Sequence, residues 1–346
     1  MAGPLNSYPA VDQAAADAVA AFGTSTHGVR LLAGTLDLHH QLERRLATFK
    51  RSEASVVFSS GYVTNIAVIS TLVPSGGVII CDKLDHASIV DGCLLSRATL
   101  MRFRHNDVDD LERCLEQSAG RPMLVIVDAV YSMDGDVASL PEISELCRQH
   151  GAALMVDEAH SLGVLGASGR GIDEHYDLGD DVIDIKMGTL SKTIPAAGGY
   201  VAGSQRLVDA LKHNARPYIF SAALAPPLAA AALASLDVIE GEPWRVARLS
   251  AVTQRAHSRL RAAGFDLLNS STPIIPVTAA DEKTVFEMTR RCRARGVYVT
   301  PVVYPAVPAV TPRLRVVVTA ALGDDELDEA LDVIVESGMA ATAAGS

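Results

Sequence analysis

From about Ala54 to Ala215 the chain alternates short apolar runs with helical patterns, and this rhythm limits its fold more than any other feature. The expected strands are Ala54–Phe58, Val78–Cys81, Thr99–Phe103, Met123–Asp128, Ala153–Asp157, Val182–Lys186 and Gly199–Ala202. Amphipathic stretches such as Val108–Gln117 and Pro141–Gln149 separate them. The pattern reads as an α/β domain built on a mostly parallel seven-stranded sheet with helices on both faces. Such sheets bind ligands at the carboxyl ends of their strands, and the polar motifs of this chain cluster at those ends.

The chain is too long, at 346 residues, for one compact core, and two domains are expected. The reading divides it into a short segment 1–35, a large domain 36–240 and a small α+β domain 241–346. A long Ala-rich helix, about Pro226–Glu240, leads into the small domain. That domain shows strands at Ile274–Val277, Val297–Val299 and Leu314–Thr319, helices including Glu282–Arg295, and a tail from Met339 expected to be disordered.

Composition narrows the function classes. Hydrophobic content of 49% with 21% charged residues suits a folded enzyme. A net charge of −11 argues against nucleic acid or an anionic membrane as a partner. The longest apolar stretch, Phe220–Ile239, is broken by Pro226 and Pro227 and reads as a packed helix rather than a membrane span. No basic segment followed by an apolar one opens the chain, so no signal peptide is expected. Five cysteines without Cys-x-x-Cys spacing suit buried thiols of a cytoplasmic protein, with no zinc or other metal site.

The residues for chemistry start with Lys192, in Gly188-Thr189-Leu190-Ser191-Lys192-Thr193, downstream of Met155-Val156-Asp157-Glu158-Ala159-His160. A lysine that follows an apolar strand and precedes a Gly-rich turn suits a Schiff-base anchor, although most lysines are simply solvated. Asp157 ends an apolar strand, where its carboxylate needs a partner. A protonated pyridine nitrogen is one; a helix cap is the plain alternative. His160, at the turn beyond, is within reach of a ring oxygen. His86 opens a helical run, where its imidazole could stack on a flat cofactor. Either histidine taken singly reads as structural. Ser60, Gly61 and Tyr62 lie where a strand gives way to a helix, whose first N–H groups suit a phosphate, and Thr189 and Ser191 add hydroxyls. Together these residues point to pyridoxal 5′-phosphate (PLP). Arg315 alternates with apolar residues on a strand, where one arginine of the Arg313/Arg315 pair could grip a carboxylate or face solvent.

At this point the chain resembles the α-oxoamine synthases, PLP enzymes of fold type I. The matching segments include His27–Thr35, Phe58–Tyr62, Asp85–Ile89, His105–Asp107, Tyr131–Asp136, Val156–Ser161, Gly169–Gly171, Gly188–Lys192, Arg216–Ser221 and Arg313–Val316, in order along nearly the whole chain. The resemblance implies decarboxylative condensation of glycine, alanine or serine with an acyl thioester, on coenzyme A or a carrier protein, giving an α-aminoketone. It implies that Lys192 anchors the cofactor and moves the substrate's α-proton, that Asp157 pairs with the ring nitrogen, and that His160 meets the ring oxygen. His86 stacks on the ring and Ser132 lies beside its oxygen. Gly61, Tyr62, Thr189 and, from a neighbouring subunit of a homodimer, Ser221 serve the phosphate, while Arg315 holds the substrate carboxylate.

Departures from the family pattern accompany the match. The chain begins close to the first shared segment, which implies a short or absent upstream arm. Thr193-Ile194-Pro195 replaces the usual small residue and glycine after the lysine. Val29, Leu31 and Leu32 fall in a segment that lines the acyl side in relatives, and their apolar character favours an aliphatic acyl group over a charged one such as succinyl. Asp157–Ser161 and Arg216–Phe220 look more like the serine palmitoyltransferase branch than the biotin branch. The alternatives are an aminotransferase or retro-aldol lyase on the same fold, and a non-catalytic partner subunit, which would most simply lack Lys192. A nucleotide-binding protein is disfavoured, because no Gly-x-Gly-x-x-Gly turn follows the first strand.

Overall fold

A computed structural model describes residues 5–345, in two compact units. The larger comprises the described residues up to Ala129 together with Ala138–Pro243; the smaller comprises Val130–Val137 and the described residues from Trp244 onward. The described part of segment 1–35 therefore belongs to the larger unit, and a short piece from the middle of the chain belongs to the smaller one.

In chain order the larger unit is α1 (Pro9–Phe22), α2 (Asp37–Phe49), β1 (Ala54–Phe58), α3 (Gly61–Leu72), β2 (Val78–Asp82), α4 (Ala87–Leu95), β3 (Thr99–Phe103), α5 (Val108–Gln117), β4 (Met123–Asp128), α6 (Leu140–His150), β5 (Ala153–Asp157), α7 (Ile172–His175), β6 (Ile185–Thr189), β7 (Gly199–Gly203), α8 (Gln205–Asn214), α9 (Arg216–Ile219) and α10 (Pro226–Gly241). The seven strands form one sheet in the order β1-β7-β6-β5-β4-β2-β3, in which β7 runs against its neighbours and the other pairs are parallel. Runs such as Val78-Ile79-Ile80-Cys81 are buried throughout because helices cover both faces. Val56, Ile79, Ile126, Met155 and Val201 join one core with α3 and α8 residues. Val57, Tyr200 and Ala202 join the other with α2 and α10 residues.

The sixth strand departs from expectation, running over Ile185–Thr189 rather than Val182–Lys186. Its polar and glycine residues hide it from a reading by propensity. Lys186 is buried within the strand because Asp173 neutralises it at 2.7 Å. Gly188 lies under the Tyr200 ring, where a Cβ would come 2.5 Å from the ring edge. Asp184, expected inside the strand, instead accepts the Leu154 N–H at 2.8 Å from just before it.

The smaller unit contains α11 (Trp244–Ala262), β8 (Ile274–Thr278), α12 (Glu282–Ala294), β9 (Thr300–Val302), β10 (Arg313–Val317) and α13 (Asp324–Gly345), with an antiparallel sheet ordered β8-β10-β9. The short strand expected at Val297–Val299 lies three residues later and includes Pro301, which an edge strand tolerates. The tail is also corrected. Helix α13 carries the chain past Met339, and Ala341 is buried. Gly338 makes this possible, since a Cβ there would strike the Phe265 ring. Among the described residues no helix is long and apolar enough to cross a membrane, and no metal-ligating cluster occurs.

Candidate active site

Asp157 closes β5 at the carboxyl edge of the sheet and is 4% exposed. Its Oδ2 accepts from Asn65 Nδ2 at 2.8 Å and its Oδ1 from the Ala159 N–H at 2.9 Å. Both donors are neutral, and no basic side chain among the described residues forms an ion pair with it. A buried carboxylate so placed is suited to a cationic ligand atom. Asn65 sits one turn into α3 and is buried, and reading the sequence missed it; its only signal is an amide inside the run Val63–Ile69.

Beyond Asp157 the chain turns so that His160 Nε2 lies 2.8 Å from Lys192 Nζ. Lys192 occupies the loop between β6 and β7, closed by Leu190 N–H to Gly198 O at 2.9 Å and Ala196 N–H to Leu190 O at 2.9 Å. The unusual Thr193-Ile194-Pro195 segment packs inward. Ile194 is fully buried, and the Thr193 hydroxyl donates to Leu162 O at 2.7 Å. Gly163, at φ +71°, leaves room for the Thr193 side chain.

His86 caps α4. Its Nδ1 lies 2.7 Å from Ser88 Oγ, its backbone N–H donates to Asp128 Oδ2 at 3.2 Å, and its ring meets the edge of the Tyr62 ring with centroids 6.4 Å apart. Asp128 ends β4 directly opposite Asp157. Burial, and then the charge of Asp157, push the Asp128 carboxyl well above the usual carboxylate range. Burial, and then Asp128, do the same to Asp85. An acid whose folded pKa is raised contributes fully below its unfolded pKa, about 3.9, and loses that contribution as pH climbs through the folded value. Asp128→Asn escapes this loss. Its stability relative to the parent should therefore improve as pH rises above about 4, read from guanidinium midpoints of the two apoproteins. A difference independent of pH would show that Asp128 is ionised in the fold.

The start of α3 is the end suited to an anion. Ser60 caps it by accepting the Val63 N–H at 3.2 Å. The N–H groups of Gly61 and Tyr62 have no preceding turn to bond to. Thr189 Oγ1 and Ser191 Oγ stand 2.8 Å apart, and a Cβ on Gly61 would come 2.9 Å from Thr189 Oγ1. Two N–H groups, the positive end of a helix and two hydroxyls thus converge, which suits a phosphate. The Tyr62 hydroxyl is bonded to the Asp91 carboxylate, so its backbone is the part available to an anion. We expect Gly61→Ala to displace Thr189 and weaken PLP binding about tenfold, roughly 1.4 kcal/mol, in a spectral titration of the apoprotein. Unchanged affinity would place the phosphate elsewhere.

Val29 forms an isolated bridge with Ala222, beside Ser221, while Leu31 and Leu32 are exposed. Ser221, Arg30 and Ser59 line one small cavity of about 10 Å³. In the smaller unit Arg315 and Ser132 are joined, Arg315 Nε donating to Ser132 O at 2.7 Å. Arg313 is 2% exposed and donates to Asp134 Oδ1 at 2.6 Å, so it is internally satisfied. No carboxylate pairs with Arg315 among the described residues, and burial lowers its pKa.

The pattern for aminotransferase class I and II matches residues 4–334. The chain belongs to the aminotransferase class I and II family. It is 44% identical over 336 residues to the 8-amino-7-oxononanoate synthase of Symbiobacterium thermophilum, covering 96% of this chain and 86% of that protein. It is 47% identical to the synthase of the same name from Anaeromyxobacter dehalogenans, covering 94% and 81%. A serine palmitoyltransferase structure from S. paucimobilis superposes with a TM-score of 0.94 at 35% identity, covering 98% of this chain and 86% of the other. Whole-chain identity is thus higher to these oxononanoate synthases than to that transferase. Within the family the chain is an α-oxoamine synthase, with the fold type I architecture and pyridoxal phosphate as cofactor. It is a C-acyltransferase that condenses a small amino acid with an acyl thioester, losing CO2 to give an α-aminoketone.

Proposed function

We propose that the amino acid is alanine and the acyl donor a thioester of a medium-length aliphatic dicarboxylic acid. The product that names the sequence relatives carries its amine at C8 and its ketone at C7. Alanine, on losing CO2, leaves the methyl and amine-bearing carbons, and the remaining carbons form an acyl group ending in a carboxylate. Val29, Leu31 and Leu32 suit its aliphatic stretch, while its terminal carboxylate departs from the uncharged acyl group that their apolar character favours and rests on the relatives' product. Coenzyme A and a carrier protein are equally compatible as the thiol.

The observation that carries the site assignment is Lys192 Nζ against His160 Nε2, on the loop beside the strand that ends at Asp157. Pyridoxal phosphate, when bound, supplies an electron sink for the charge left at the amino acid's α-carbon. Lys192 anchors the cofactor and, once free, takes the α-proton; His160 accepts a hydrogen bond from it or passes it a proton. Asp157, oriented by Asn65, would hold the ring nitrogen and keep it protonated. Gly61, Tyr62, Thr189 and Ser191 would hold the phosphate, and His86 would hold the ring. From the resemblance come the remaining roles: Ser132 near the ring oxygen, Arg315 on the substrate carboxylate, and Ser221 reaching the phosphate of a neighbouring subunit in a homodimer. Five unpaired, buried cysteines support a reducing, cytoplasmic location.

Incubation with alanine, glycine and serine separately, each with a dicarboxylic acyl-CoA, tests the proposal. Alanine should give equimolar CO2 and free thiol. Turnover with serine and none with alanine would overturn the choice of amino acid. Amino-group transfer without CO2 would favour an aminotransferase.

A further inference from the structure

Behind the Asp157–His160 turn lies a buried charge cluster that the reaction itself does not use. Glu158 follows Asp157, is fully buried and turns away from it. Its Oε2 lies 2.6 Å from Lys50 Nζ, at the end of α2, and its Oε1 accepts the Ile172 N–H at 3.1 Å and the Ser161 hydroxyl at 3.3 Å. Lys50 also donates to Arg170 O and lies 3.7 Å from Asp173, which pairs with Lys186 at 2.7 Å. Lys186 in turn donates to Lys50 O at 3.1 Å. The two acids and two lysines balance in charge. The Gly169-Arg170-Gly171 segment wraps around them, and Gly171 is required because a Cβ there would overlap Glu158 Oε1. On the other side, Thr193 next to Lys192 ties its loop to Leu162 O, two residues past His160.

We propose that Glu158 and Thr193 are positioning residues that together set the separation of His160 and Lys192. Ion pairs this deep stabilise little over apolar side chains of equal size, because desolvation offsets their attraction. What they supply is direction, since a carboxylate held on Oε1 by two hydrogen bonds and on Oε2 by the Lys50 charge is restrained from rotating. Glu158 is one peptide from Asp157 and two residues from His160, so its fixed side chain pins the turn that aims both. Thr193 pins the lysine's loop to the same turn. With both anchors in place the 2.8 Å Nζ–Nε2 contact is held by the protein rather than by the ligand. No substrate atom need touch either residue.

The inference rests on the reading of Lys192 as the cofactor lysine. Two variants test it, both loaded with PLP. Lys50→Met/Glu158→Gln removes both charges of the pair without leaving one uncompensated, and Thr193→Val removes only the hydroxyl. In each we expect kcat to fall about tenfold with KM for the amino acid nearly unchanged. We also expect the pH midpoint of the bound cofactor's absorbance to shift, because the lysine nitrogen that titrates there is held at a different distance from His160. That midpoint also reflects Asp128, Asp157 and His86, which neither variant alters. A purely structural role would move the melting temperature and leave the midpoint in place. Parent midpoint and parent kcat in Thr193→Val would overturn its role, and the same result in the double variant would overturn that of Glu158. If the double variant does not fold, Ser161→Ala, which removes one hydrogen bond from Glu158, replaces it: a shifted midpoint supports the proposal and an unshifted one overturns it. Failure of the underlying reading looks different, because the parent itself would then show no PLP absorbance.

Discussion

Lys192→Ala should lower the rate of CO2 and thiol release by roughly 10⁴-fold or more, the upper range for loss of a positioned proton-transfer group. It should also abolish trapping of PLP on the chain by borohydride, read as a mass increase of the intact protein. The two losses have one origin. On the proposed reading, the amine that holds the cofactor is the amine beside His160, 2.8 Å away. Folding should be unaffected, since Lys192 is only partly buried and the loop closes through backbone bonds and Thr193. A variant that turned over at the parent rate, or still trapped PLP, would remove Lys192 from the mechanism.

The largest stability effect is expected at Lys50→Met. Lys50 and Glu158 pair at 2.6 Å with both side chains wholly buried. Removing one partner of such a pair costs about 3–5 kcal/mol, because the other charge stays buried and unpaired. Burial already pushes the Glu158 carboxyl up, and Lys50 is the main influence opposing it. Without Lys50 the folded pKa rises further, so the stability Glu158 retains below its unfolded pKa is lost as pH climbs through the new folded value. The deficit of Lys50→Met against the parent should therefore grow from mildly acidic to alkaline pH in guanidinium titrations of the apoproteins. Lys50→Met/Glu158→Gln should recover most of it. A deficit in the double variant equal to that of Lys50→Met would show that lost packing, not an unpaired charge, is responsible.

These two residues also mark how far the sequence could be read. The proposed cofactor lysine, Lys192, is legible because a Schiff base requires a lysine in a pocket, and because Asp157 and His160 lie at the adjacent strand end. Lys50 announces nothing. In the sequence it is one more basic residue following an amphipathic helix, and only the fold brings it to Glu158, Asp173 and Arg170. Asn65 is similar: an amide in an apolar helical run, whose partner Asp157 lies at the end of β5. The sixth strand lies three residues beyond the expected one for the same reason, since Gly188 is a poor strand residue whose partner, Tyr200, comes from a neighbouring strand. At the C-terminus, small residues that suggested disorder form a helix because Phe265 and Met288 pack against Gly338.

The sequence by itself determined the architecture of the larger unit, the family, and the strand ends that carry Asp157, Lys192 and the Gly61 helix start. Those follow from local periodicity and from motifs whose chemistry tolerates few residue types. The tertiary structure alone decided which groups hold these residues in place: Asn65 on Asp157, Asp128 on His86, Thr193 on the lysine loop, and the Lys50–Glu158 pair behind the turn. Each joins residues far apart in the chain, and burial makes each interaction matter. Periodicity reports which face a side chain occupies; only packing reports what it meets there.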